Sequence, residues 1–326
     1  MLKPHVYSAP SNIAIIKYMG KISAQQNLPT NASISYTLEH LRSFVTLEPV
    51  SGVRDQWQPL VGEGLLSIEL SEKGKTKFLN HLARIKDIWG VSQSFLVKSA
   101  NNFPSDCGIA SSSSSFAALT MAAATELEKI KPGGNTHLET LSKISRLGSG
   151  SSCRSFFSPW AIWETDGAQA WAGKFSNLNH TVMLLDSGKK DVSSSDAHVR
   201  VTTSPLFPKR LVSVKERLEK IQLANSRQDW TAFCDLAIDE FEEMHQLFET
   251  SIPSFSYRNE DTMLTLKRLL AINTELKNKM LITMDAGNNI HLMTLPENRN
   301  DLERLATAFP KGQFINSWDF AGAVRV

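Results

Sequence analysis

The stretch NNFPSDCGIASSSSSFAALTMAAA, residues 101–124, runs from a proline-containing turn through one glycine and five consecutive serines into alanine-rich apolar sequence. Phe116, Leu119, Ala123 and Leu127 recur at helical intervals, so the spacing predicts a helix over 115–130, closed by PGGN at 132–135. A helix N-terminus leaves its first amides without intrahelical partners and carries partial positive charge, so small residues placed there form an anion site. Gly108 permits close backbone approach, and Ser111 and Ser112 add hydroxyls able to meet phosphate oxygens or a magnesium ion. A helix cap with a polar face, or a flexible serine connector, are the competing readings. The connector fits poorly, because the preceding QSFLVKSANNF (93–103) reads as a strand and a linker does not ordinarily separate an apolar strand from an apolar helix.

Working outward, 326 residues with 41% hydrophobic content can fill one large core or two ordinary ones, and two lobes are expected. Lys and Arg number 35 against 33 Asp and Glu, so the whole chain carries no electrostatic footprint for nucleic acid or an anionic membrane. Cys107, Cys153 and Cys234 show neither zinc spacing nor an even disulfide set. The start, MLKPHVYSAPSN, lacks an apolar signal core and no apolar run is long enough for a bilayer, so a cytoplasmic location is expected.

Alternation predicts strands at 33–38 and 43–50, and Phe78, Leu79, Leu82 and Ile85 predict a helix over 76–88. A second helix is expected near 136–146. After the apolar strand TVMLLD (181–186) the sequence turns to long helices, which puts the lobe boundary between 184 and 185. The second lobe then closes with a helix at 262–278, strands at 279–285 and 290–295 around the turn AGNN, and a final helix and strand.

Other phosphate signatures fail: no G-x-x-x-x-G-K-[ST] surrounds a GK pair, no G-x-G-x-x-G follows a strand, and GSGSSCRS (148–155) is not a nucleophile elbow. The serine loop instead resembles the phosphate loop of the small-molecule kinases that include galactokinase, homoserine kinase and mevalonate kinase. Three further segments narrow the match: SAPSNIAIIKYMGK (8–21) with LPTNASIS (28–35), SRLGSGSSCRS (145–155), and TMDAGNN (283–289). Together, in this order, they resemble the diphosphomevalonate decarboxylase family along essentially the whole chain.

The resemblance implies a two-lobed α+β fold of the GHMP-kinase type. Its N-terminal lobe is like ribosomal protein S5 domain 2, its C-terminal lobe is ferredoxin-like, and the active site lies in the cleft between them. It implies ATP-dependent conversion of mevalonate 5-diphosphate to isopentenyl diphosphate, with ATP and Mg2+ as cofactors and a homodimer as the assembly. On this reading Asp285, at a strand end running into a Gly-Asn turn, is the base or orienting group for the substrate hydroxyl. Arg154, after a run of small residues, holds the substrate carboxylate with its planar fork. Lys17 is the active-site lysine, and the apolar IAII before it argues for a semi-buried side chain. Tyr18, Lys21, Asn12, Ser149 and Ser151 serve the substrate, while Gly108, Ile109, Ala110, Ser111, Ser112, Lys190 and Ser194 serve the nucleotide, with Ser112 on the metal.

The segment 189–207 resembles a loop that folds over the nucleotide phosphates and excludes water. Met19, Asp106, Cys107, Lys77 and Asn288 depart from the family pattern, and Asp106 adds a negative charge beside the phosphate loop. Cys107 and Cys153 read as packing residues and His245 as a structural histidine. A related enzyme acting on mevalonate, its monophosphate or another 3-hydroxy acid is the near alternative. A catalytically silent nucleotide-binding regulator is the distant one.

Overall fold

The computed structural model describes residues 5–104, 111–185, 191–276 and 279–320. Gly108, Ile109, Ala110 and Lys190, together with Asp106 and Cys107, lie outside the described residues.

The first lobe runs β1 (Tyr7–Ile16), β2 (Lys21–Ser23), β3 (Leu28–Pro29), β4 (Ser33–Val50), β5 (Gln56–Pro59), β6 (Leu66–Ser67), α1 (Glu72–Trp89), β7 (Ser94–Asn101), α2 (Ser111–Ile130) and α3 (Leu138–Gly148). A 3-10 turn at Gly150–Phe156 leads to β8 (Trp160–Trp163) and β9 (Ala168–Ala170). The second lobe comprises β10 (Asn179–Leu184), α4 (Ser194–Arg200), α5 (Phe207–Ser226), α6 (Trp230–Thr250), α7 (Glu260–Glu275), β11 (Leu281–Thr283), β12 (Ile290–Thr294), α8 (Arg299–Glu303), α9 (Leu305–Ala308) and β13 (Gln313–Asn316). This is the expected two-lobed α+β architecture.

The long strand β4 organises the first lobe. It pairs antiparallel with β1 along its length, with β8 at Ser33–Tyr36 and with β7 at Ser43–Val50. The sequence predicts two strands here, and the structure has one, with an irregularity inside it. Pro10 faces Arg42 whereas the next residue, Ser11, faces Leu38, so Glu39–Leu41 bulge opposite a residue that has no N–H to donate. The Asn102 side chain satisfies the bulge, donating to the His40 carbonyl at 2.8 Å and accepting the Arg42 amide at 2.7 Å.

Helix α2 begins four residues earlier than the apolar spacing predicts, so the serine run is its first turns. Ala117, Ala118, Ala122, Ala123 and Ala124 are buried and let the helix lie close to the sheet beside Val45, Leu47, Phe95 and Val97. Helix α1 likewise starts early, because Ser71 caps it by accepting the Gly74 amide at 3.2 Å.

The lobe boundary needs correction. β10, placed by sequence at the end of the first lobe, is an inner strand of the second sheet, whose order is β11–β12–β10–β13. The change of sheet therefore falls between Ala170 and Asn179, before 184. An apolar strand reads the same from either side, and only its partners reveal its sheet.

The lobes share one core. Ile13, Ile15 and Ile16 of β1, Ile34 and Tyr36 of β4, and Trp160 of β8 pack with Ile221 of α5, Phe233 and Ala237 of α6, and Met293 of β12. None of the described helices is long and apolar enough to cross a membrane. Phe233→Ala should cost about 3–5 kcal/mol by opening a cavity in this shared core. Thermal unfolding followed by far-ultraviolet circular dichroism should show both lobes melting earlier in one transition. Loss of the second lobe alone would contradict a shared core.

Candidate active site

Lys17 stands just past the end of β1, where four consecutive isoleucine or alanine positions have carried the chain through the core. Its side chain is 2% exposed and its Nζ donates to Asp285 Oδ1 at 2.8 Å and to the Ala14 carbonyl at 2.6 Å. Its amide donates to Glu240 Oε1 at 2.8 Å and its carbonyl accepts from Asn31 Nδ2 at 2.8 Å. Every polar atom of Lys17 is thus engaged, which is the condition for a buried ammonium to remain charged.

Asp285 follows β11 in a tight turn, its carbonyl accepting the Gly287 amide at 2.8 Å and His245 Nε2 at 3.2 Å. Burial pushes its pKa up, but the Lys17 charge and hydrogen bond, aided by His291 and Arg154, hold it below the ordinary aspartate value. Burial pushes Lys17 below its ordinary value despite the opposing Asp285 charge. The carboxylate is ionised at neutral pH. His245, read from sequence as structural, is buried and neutral and supports the Asp285 backbone from beneath.

Arg154 is held differently. The 3-10 turn Gly150–Phe156 buries it to 3% exposure. Its Nη1 donates to Ser33 Oγ at 2.8 Å, and Nη2 and Nε donate to Asn12 Oδ1 at 3.2 and 3.3 Å. Asn12 is oriented in turn by donating to Ser155 Oγ at 2.8 Å. All these acceptors are neutral, and no carboxylate among the described residues pairs with this guanidinium. Burial accordingly pushes its pKa down, although it stays protonated.

The serine run divides its work. Ser114 Oγ bonds Ser43 Oγ at 2.7 Å and Ser113 Oγ bonds Ser151 Oγ at 2.5 Å, so these two fasten α2 to β4 and to the Arg154 turn. Ser112 is exposed and meets Ser149 Oγ only at 3.4 Å. Gly150 permits this packing, since a Cβ there would meet the Tyr18 ring at 2.8 Å.

One pocket is lined by Lys17, Tyr18, Ser112, Ser151, Arg154, Ser194 and Asp285, all expected from sequence, with Ala14, Met19, His198, Met244 and Ala286. Asn12 lies behind Arg154, and Ser149 and Ser111 lie behind or beside the exposed Ser112. Lys21 flanks the pocket without lining it, donating to Asn27 Oδ1 at 2.7 Å; burial and then the Lys77 charge lower it to about 8. Lys77, one of the departures from the family pattern, lies 5.2 Å over the Phe116 ring. The segment expected as a loop at 189–207 is helical from Ser194, and Val192, Ala197 and Val201 anchor it against Met19, Met244 and Phe248. Burial pushes the Cys153 thiol up to about 12, which suits a packing residue and no nucleophile.

The sequence reading missed what lies under Lys17. Glu240 is fully buried and accepts from Arg210, itself fully buried, at 2.8 Å through Nη1 and again through Nη2. Arg217 and Glu243 complete the cluster. The signal was Arg210 and Arg217 seven apart on α5 facing Glu240 and Glu243 three apart on α6, a pattern shared with solvated helix faces.

The family model for the diphosphomevalonate decarboxylase-like N-terminal domain matches residues 9–173, and that for the mevalonate 5-diphosphate decarboxylase C-terminal domain matches 181–321. The chain belongs to the diphosphomevalonate decarboxylase family. Its two family domains meet where the strands change sheet, between β9 and β10. The diphosphomevalonate decarboxylase of Debaryomyces hansenii is 30% identical across 96% of this chain and 84% of its own length. The mevalonate diphosphate decarboxylase of Legionella pneumophila superposes with a TM-score of 0.89 at 37% identity, covering 95% of this chain and 99% of that one. The structure of MDDEF in complex with MVAPP, AMPPCP and magnesium gives a TM-score of 0.84 at 28% identity over 96% of each chain.

Because the Lys17 charge and hydrogen bond, with His291 and Arg154, together outweigh burial at Asp285, Lys17→Met should raise the Asp285 pKa. The stability that the depressed carboxyl contributes is present above its unfolded value near about 4 and is lost as pH falls through its folded value. In the variant the sign reverses, and ionising Asp285 on raising the pH destabilises the fold. A carbon-13 titration of the aspartate carboxyls checks this; an unmoved Asp285 would contradict the pairing.

Proposed function

We propose that this chain catalyses ATP-dependent decarboxylation of mevalonate 5-diphosphate to isopentenyl diphosphate, releasing ADP, phosphate and carbon dioxide. The carrying observation is that a buried guanidinium with only neutral partners and an ionised, lysine-paired carboxylate line the same pocket. The substrate has a carboxylate for the first and a tertiary hydroxyl for the second. Its presence with AMPPCP, an ATP analogue, in a relative of the same fold supports the assignment.

Asp285 accepts a hydrogen bond from the 3-hydroxyl and aims its oxygen at the transferable phosphoryl group, taking the hydroxyl proton as the P–O bond forms. A depressed pKa makes it a weak base, which suffices because phosphoryl transfer with a loose transition state depends on positioning and charge more than on strong base catalysis. Lys17 keeps that carboxylate ionised and fixed in direction. Arg154 holds the substrate carboxylate, setting the C–C bond that breaks against the C–O bond from which phosphate departs; the bonding pair left by carbon dioxide becomes the new double bond. Tyr18 and Lys21 bind the 5-diphosphate, with Ser149 and Ser151 supporting the substrate end of the pocket.

Ser112 fits a nucleotide and magnesium role, because its hydroxyl is exposed into the pocket at the start of α2 while the next two serines are spent on packing. Magnesium there would neutralise phosphate charge. Among the described residues no group of three or more His, Cys, Asp or Glu is arranged to hold a metal, consistent with a magnesium ion carried largely by phosphate oxygens. Ser111 and Ser194 are the other nucleotide contacts assigned among the described residues.

Asp285→Asn should lower kcat for ATP-dependent carbon dioxide release about 10²–10⁴-fold while leaving the ATP Kd within about twofold. Arg154→Lys, which keeps the charge and loses the fork, should lower kcat/KM by at least about tenfold. Radiolabelled carbon dioxide release with parallel nucleotide titration measures both. Full turnover in either variant would overturn the role of the residue replaced.

A further inference from the structure

One pocket residue has no part in the chemistry above. His198 lies on α4 one turn beyond Ser194, so the two share a helix face, and both line the pocket. Its ring packs on Tyr18, with centroids 4.2 Å apart and planes at 39°, while Tyr18 is backed by Trp163 at 4.5 Å. Its Nδ1 accepts the Gly20 amide at 3.0 Å. That amide is rigidly presented: Gly20 has φ +91° and a Cβ there would strike the Phe207 ring at 2.7 Å. His198 thus closes the turn from which Lys17, Tyr18 and Lys21 project.

A neutral imidazole whose Nδ1 accepts must carry its proton on Nε2. Among the described residues nothing hydrogen-bonds Nε2, and the His198 side chain lines the pocket. Burial, and then the nearby Lys21 and Arg154 charges, push His198 down to about 3, so the ring is neutral at working pH. A neutral donor is what this place can hold, since a third cation there would be repelled by the other two.

We propose that His198 is a specificity-determining residue, donating Nε2–H to a phosphate oxygen of the substrate's 5-diphosphate beside Tyr18 and Lys21. The proposal rests on the substrate reading above. A donor aimed at an oxygen that a shorter substrate lacks is left unsatisfied by it, and this discriminates between the 5-diphosphate, the 5-monophosphate and the free acid.

The test compares His198→Asn, which keeps an acceptor near Nδ1 and removes the distal donor, with His198→Gln, whose amide reaches towards the Nε2 position. Calorimetry on each variant titrates mevalonate 5-diphosphate, its 5-monophosphate, inorganic pyrophosphate and ATP. His198→Asn should weaken the diphosphate about 10–100-fold and pyrophosphate in parallel, the monophosphate less, and ATP by no more than about twofold. His198→Gln should recover most of the loss, and kcat at saturating diphosphate should fall less than KM rises. Undiminished diphosphate and pyrophosphate affinity in a folded His198→Asn protein, or equal loss for the diphosphate and the monophosphate, overturns the proposal. If His198→Asn does not fold, His198→Gln decides: affinity near wild type for the diphosphate supports the donor, and a loss matching that for the monophosphate refutes it. Wild-type protein that releases no carbon dioxide from any of the acids, while pyrophosphate binding still depends on His198, would remove the decarboxylase reading and leave the donor standing.

Discussion

The buried ion pair between Lys17 and Asp285 joins residues 268 apart in the chain and couples the first strand to the turn after β11. Burying two charges costs several kcal/mol each, recovered only when geometry and the remaining hydrogen bonds are good. Both conditions hold: Lys17 has no unsatisfied polar atom, and the residue that takes its amide, Glu240, is itself matched by Arg210 and Arg217. Such a pair adds little net stability compared with apolar packing. What it supplies is direction, because a carboxylate with a fixed ammonium on one oxygen presents the other to the pocket. The apolar core shared by β1, β4, β8, α5 and α6 holds the two lobes close enough for this contact.

Two charged groups in one pocket are therefore stabilised by opposite means. Asp285 is compensated in full by the protein and needs nothing from a ligand to stay ionised. Arg154 is desolvated against neutral oxygens of Asn12 and Ser33, so its charge is best satisfied by an anion that arrives from outside. This asymmetry suits a substrate that must be gripped at its carboxylate and activated at its hydroxyl. The serines of α2 separate in the same way, Ser114 fastened to β4, Ser113 to the Arg154 turn, and Ser112 left facing the pocket.

Much of this was legible in the sequence where a local pattern and a chemical need coincided. A lysine after IAII reads as semi-buried, an aspartate at a strand-to-turn junction reads as aimed, and serines ahead of an apolar helix read as its approach. What was hidden depends on partners distant in the chain. The continuity of β4 through its bulge requires Asn102, and β10 belongs to the second sheet because β12 and β13 flank it. The Arg210–Glu240 contact looks in sequence like two ordinary solvated helices. His198 acquires its place only when α4 folds over the Gly20 turn, and nothing in SSSDAHVR announces that the ring would face Tyr18.

The central claim is that these two unlike charges meet a single substrate. A crystal structure of the complex with mevalonate 5-diphosphate and a non-hydrolysable ATP analogue tests it most directly. The substrate carboxylate should lie on the Arg154 fork and the 3-hydroxyl within hydrogen-bond distance of Asp285, with the Lys17 contact retained. A carboxylate bound elsewhere with Arg154 still on Asn12 and Ser33 alone, or a hydroxyl remote from Asp285, would contradict it.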